Sequence, residues 1–153
     1  MWICLGVSFL AGAFLLTLVV LFVFRIGIVY SNREEDGTLK KEMPLKGYAV
    51  MGLTLVLILA FFVLCDYLAF RDVSAGLVRI LIFNMLLITL LSLYDGLIID
   101  LWVLGKVRPR ILHLPDAVTM DSMKYHVKKQ FTAAWALKIP LALVSGFLYY
   151  ALF

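Results

Sequence analysis

Long apolar runs separated by short polar stretches set the pattern of this chain. From Trp2 to about Phe24 no charged side chain occurs, and Arg25 closes the run. About 20 apolar residues suffice to cross a bilayer, so this is the first predicted transmembrane helix. A second, at about 48–70, ends at Arg71 and Asp72. After a tight turn a third starts near residue 76, takes Arg79 into its first turn and runs to about residue 104. The fourth covers about 133–153, with Lys138 and Pro140 in its early turns, where neighbouring helices tolerate a proline kink. The predicted fold class is an all-α integral membrane protein, a bundle of four transmembrane helices forming one membrane domain over residues 1–153. MWICLG lacks the basic start of a signal peptide, so the first helix is expected to stay attached.

The period changes between the third and fourth runs. In KVRPRILHLPDAVTMDSMKYHVKKQF, Pro109 and Pro115 forbid a continuous helix and predict a pinned, extended loop. Further on, Met120, Met123, Val127, Phe131 and Ala134 recur at helical spacing, with Lys124, His126, Lys128, Lys129 and Gln130 between them. Asp121 or Ser122 is the expected N-cap. A basic amphipathic segment is therefore predicted within 105–132, suited to the surface of a leaflet. The first connection, SNREEDGTLKKEMPLKG, mixes both charge signs around Gly37 and Pro44 and reads as a solvated loop.

Composition agrees with these runs, because 64% hydrophobic residues lies far above a soluble domain. The net charge of +4 adds a direction through its distribution. Arg25, Arg33, Lys40, Lys41 and Lys46 flank the first connection, and Lys106, Arg108, Arg110, Lys124, Lys128 and Lys129 the third. The second has only Arg71 and Arg79. Basic residues near span ends are retained inside, which predicts cytoplasmic first and third loops and both termini outside. Trp102 and Trp135 then fall at the inner interface and Trp2 at the outer one. A bacterial cytoplasmic membrane is the expected location.

Cys4 and Cys65 lack metal or redox spacing and read as small buried hydrophobes. Asp95 and Asp100 are followed by His113, Asp116, Asp121 and His126, yet nothing repeats a tight ligand spacing such as HExxH. Ser92 and Thr89, without a base beside them, read as hydroxyls satisfied by their own helix. No metal, cofactor or nucleic acid is therefore expected.

Ionisable groups inside apolar runs need partners or mark function. Asp66 is expected to form an outer ion pair with Arg79 or Arg71. Asp95, Asp100 and Lys138 share an inner depth, and Asn84 lies in helical line with Asp95, eleven positions on. Regular α-helical geometry turns Asp100 about 140° from Asp95, so one carboxylate is expected to face Asn84 and Lys138 and the other Arg108 or Arg110. Such carboxylates are either held charged by basic partners, as structural glue, or serve as a proton or cation site.

Arg108 and Arg110 alternate along an extended strand, as a clamp on one phosphate would require, with Lys106, Lys128 and Lys129 adding attraction to an anionic surface. His113 or His126, if within reach of Asp100, would make a proton relay. Gly6, Gly12, Ala11 and Ala13 offer a small-residue face on the first helix, suited to a homo-oligomer or a larger membrane partner. Three function classes fit, in order. The first is a binding or accessory protein gripping membrane lipids or a partner protein through its basic cytoplasmic face. The second is a small proton- or cation-coupled transporter or channel using Asp95 or Asp100. The third is a lipid-acting enzyme at the inner interface, placed last because no activated nucleophile is visible.

Overall fold

The computed structural model describes residues 2–25, 45–73, 75–109, 112, 119–132 and 135–153. Arg110 and His113 lie outside the described residues, as does the first connecting loop, and the side chain of Lys129 is likewise outside them. Among the described residues the chain is helical throughout, without a strand. Helices α1 (Trp2–Arg25) and α2 (Leu45–Phe70) follow the first two apolar runs. The third run divides into α3 (Leu77–Tyr94) and a π-helical segment, Asp95–Val107. The amphipathic helix α4 (Met120–Thr132) and the apolar α5 (Trp135–Leu152) complete the chain. Four stretches are long and apolar enough to cross a membrane: Trp2–Phe22, Gly47–Phe70, Leu77–Val107 and Trp135–Leu152.

Although α2 and α3 are joined by a tight turn, α5 packs against both more extensively than they pack on each other. The sequence supplies the reason. Ala142, Ser145 and Gly146 are all buried and put small side chains at helical spacing on one face of α5. A Cβ on Gly146 would lie 2.7 Å from Leu81 Cδ2, so any side chain there would require Leu81 to shift, and the glycine allows the close approach of α5 to α3. The main core, with Phe62, Phe83, Leu87 and Ile88, lies along this junction. At the turn end Phe70 meets Phe83 edge-on at 5.4 Å, and Tyr149 stacks on Phe153 at 5.4 Å.

The small-residue face expected on the first helix is divided by the fold. Gly12 is buried against Leu91 and Phe61, and Ala13 is buried with it, whereas Gly6 has open space around it and Ala11 is exposed. Close packing of α1 on α2 and α3 takes up the first pair and leaves the second outside. Thr17 binds α1 to α3 further along: its Oγ1 donates to Ala13 O at 2.8 Å and lies 2.9 Å from the Tyr94 hydroxyl. An interhelical hydrogen bond between apolar helices contributes about 0.6 kcal/mol, so Thr17→Val should lower stability by only about that much in a reversible unfolding titration in mixed micelles.

A second, smaller core of Ile99, Leu104 and Leu112 lies at the basic end, joined by Val20, Leu21 and Met123. It explains how α4 is held. Met120, Met123, Val127 and Phe131 are half-buried, and α4 packs extensively on the π-helical segment. Its apolar face thus meets protein and its basic face is outermost. The helix begins at Met120, slightly before the expected caps Asp121 and Ser122, and Lys124 pairs with Asp121 at 3.2 Å.

Candidate functional site

The π-helical segment determines how the carboxylates at the basic end are arranged. Its end is marked by the Arg108 amide, which donates to Val103 O at 2.8 Å. Arg108 then adopts a left-handed conformation, φ 47°, ψ 64°. Pro109 disfavours the right-handed helical region for the residue before it, which accounts for the termination there. With i→i+5 bonding the turn widens to about 4.4 residues, so five residues advance only about 50° past a full turn. The 140° separation expected of Asp95 and Asp100 rests on regular α-geometry and does not hold for this segment. Both aspartates act electrostatically on Lys138.

Asp100 is the buried member of the group, with its side chain 9% exposed. Its Oδ2 lies 3.7 Å from Nε2 of His126, whose own side chain is 61% exposed. That distance is too long for a hydrogen bond, and Asp100 Oδ2 has no hydrogen-bond partner among the described residues. Histidine on α4 therefore reaches from the exposed surface to the edge of a buried carboxylate. Lys138 Nζ also lacks a hydrogen-bond partner among the described residues. It sits instead over the rings of Trp135 and Phe131, 5.7 and 5.8 Å from their centroids, where the negative ring faces attract a cation.

Asp95 and Lys138 also line a cavity of about 300 Å³ enclosed by α1, α2, α3 and α5. Its other walls are chiefly apolar, including Leu16, Phe61, Leu91 and Leu141. Leu57 and Leu137, also in its lining, are exposed. The arrangement is an apolar cavity with a carboxylate and an ammonium in its wall, beside a buried Asp100 that an exposed imidazole approaches to 3.7 Å.

Asn84 is not part of this group. It lies about 16 Å along the helix from Asp95, deep in the other half of the bundle, where α2 and α5 supply its partners. Its Nδ2 donates to Asp66 Oδ2 at 2.9 Å and to Ser145 Oγ at 3.1 Å, with Ala142 O at 3.4 Å. Helical alignment relates Asn84 and Asp95 by face, but height along the axis decides contact. The same bonds replace the expected pairing of Asp66 with Arg79 or Arg71. Asp66 is fully buried, Arg79 is exposed, and Arg71 pairs with Asp72 at 3.2 Å. Long basic side chains at a helix end extend toward the surface in preference to entering a closed core.

Lys106, Arg108 and Lys128 are exposed at the basic end, beside α4. Sequence reasoning passes over Ser145, although the spacing of Ala142, Ser145 and Gly146 marks a close-packed face. Nothing in the sequence announces the π-helical segment. No family model, curated protein or solved structure matches this chain.

Proposed function

We propose that the chain is a four-span membrane protein that couples proton or cation movement to a site at its basic end. His126 exchanges a proton with the aqueous side and Asp100 accepts it. Asp95 and Lys138 balance the resulting charge beside the apolar chamber. The chamber is suited to the hydrocarbon part of an amphiphilic solute entering from the bilayer. The observation supporting this reading is the 3.7 Å approach of the exposed His126 imidazole to a buried Asp100 oxygen without a hydrogen-bond partner among the described residues. Imidazole is the side chain best suited to deliver a proton near physiological pH, and buried carboxylates in apolar helices form proton relays.

The exposed Lys106, Arg108 and Lys128 favour a second reading, in which the basic face holds anionic lipid or a partner protein. With α4 docked on protein through its apolar side, such attraction is electrostatic and sensitive to salt. On either reading, the distribution of lysine and arginine supports a cytoplasmic basic end with both termini outside.

A pH jump applied to the protein reconstituted on a solid-supported membrane tests the coupling reading. A transient charge displacement is expected from wild type, slowed by about 10²-fold in His126→Gln as delivery of the proton becomes limiting. Wild-type currents no larger than those of protein-free membranes would remove the proposal. In the lipid-binding reading, adding anionic lipid changes retention of the protein on vesicles and leaves such currents absent.

A further inference from the structure

A second buried polar site lies in the other half of the bundle, and the basic-end reading makes no use of it. Asp66, Asn84 and Ser145, from α2, α3 and α5, are each fully buried. Asp66 Oδ1 and Asn84 Oδ1 have no hydrogen-bond partner among the described residues, and no ion pair of Asp66 is found there either. A structural polar clasp would be expected to satisfy its acceptors, since an orphan polar atom in an apolar interior is costly. A carboxylate enclosed without a cation is costlier still.

We infer that Asp66 is a proton-binding site whose partner Asn84 accommodates both of its protonation states, independently of the site at the basic end. The chemistry follows from the side-chain amide. When Asp66 is ionised, Asn84 Nδ2 donates to its Oδ2, as the 2.9 Å contact allows. When a proton adds to that oxygen, a half-turn of the amide presents Oδ1, which accepts from the new O–H and from the Ser145 hydroxyl. One proton enters, one O–H bond forms, and no backbone need move. The Ser145 hydroxyl has an alternative acceptor in Ala142 O, at 3.0 Å, so it too can follow either state.

The route to water lies at the turn end. A cavity of about 960 Å³ is lined there by Tyr67, Phe70, Arg71, Asp72 and Tyr149 among others. Tyr67 and Tyr149 both line it, and Tyr149 interacts electrostatically with Asp66. Around Asp66, α2 itself contributes Cys65 and Tyr67, and α5 contributes Tyr149. Of the remaining neighbours, α3 carries Arg79, which is exposed, and α1 has only the half-buried Cys4 before Arg25. Phe62, Leu87 and Ile88 form an apolar layer between Asn84 and Ser92, separating this site from the basic end.

Infrared difference spectroscopy of the full chain in lipid nanodiscs, recorded across a pH titration, tests the inference. Wild type is expected to show the C=O stretch of a protonated carboxyl group. Asp66→Asn should remove it, Asn84→Ala should shift it to higher frequency by removing the hydrogen bond, and the double variant Asp95→Asn, Asp100→Asn should retain it. If Asp66→Asn fails to fold, Asn84→Ala and Ser145→Ala decide alone. Spectra unchanged in all of these variants would mean that Asp66 never takes a proton, and the inference fails. A titration displaced by sodium and not by choline would identify a metal cation as the occupant and would equally overturn it. Failure of the basic-end reading is distinguishable, since the part of the current lost in Asp100→Asn would be retained in Asp66→Asn.

Discussion

Asp100→Asn is expected to remove the basic-end component of the charge displacement that follows a pH jump while leaving a folded protein. Asparagine keeps the shape of the side chain and its capacity to accept a hydrogen bond, but it cannot take up or release a proton. The buried position of Asp100 favours survival of the variant, because exchanging a carboxyl group for an amide removes a charge from an apolar surrounding. Loss of the displaced charge carried by the basic end is expected, compared with a change of rate in His126→Gln, since in the proposed relay the exposed His126 delivers the proton and bulk water would replace it slowly. Charge displacement in Asp100→Asn equal to wild type would remove Asp100 from the relay and leave Asp95 as the remaining acidic candidate. Circular dichroism and size-exclusion profiles, taken on the same preparations, separate a lost relay from a lost fold.

The largest effect on stability is expected at Gly146. Even a single methyl group there would come within 2.7 Å of Leu81 Cδ2 and 3.4 Å of Asn84 Nδ2. Gly146→Leu would force a branched side chain into that junction, and overpacking of this kind costs about 1–3 kcal/mol. Because the same contact carries Asn84 toward Ser145 and Asp66, the variant should also disturb the carboxyl vibration assigned to Asp66. Gly6→Leu is the matched control: nothing lies within 4 Å of where its Cβ would stand, and stability should be unchanged. Equal thermal midpoints for the two variants in the same lipid would show that α5 does not depend on this close approach to α3.

Much of the architecture is legible in the chain because a transmembrane-length helix is written as a long uncharged run. The end of α2 at Phe70 falls where Arg71 and Asp72 interrupt the run. The amphipathic helix α4 is legible for a related reason, its apolar residues recurring at helical spacing. What it packs against is not, since the same apolar face suits a lipid surface or a protein groove. The structure docks it onto the π-helical segment through Met123.

The candidate site divides in the same way. Sequence reasoning groups Asp95, Asp100 and Lys138, and it names His126 as a relay residue on condition that it reaches Asp100; the two side chains approach to 3.7 Å. Asn84 and Asp66 are each assigned other partners, because position along a helix predicts face and depth but not which neighbouring helix arrives there. The arrival of α5 between α2 and α3 depends on glycine and alanine at positions whose small size matters only once another helix is present.

Four apolar helices, a basic end and carboxylates within the apolar runs are properties of local composition and period, and the chain dictates them without reference to any neighbour. The meeting of Asp66 with Asn84 and Ser145, the approach of His126 to Asp100 and the π-helical segment that aligns Asp95 with Asp100 have no such local origin. They depend on interhelical approach and on hydrogen-bond register, which arise when helices pack and have no counterpart in an isolated run of residues.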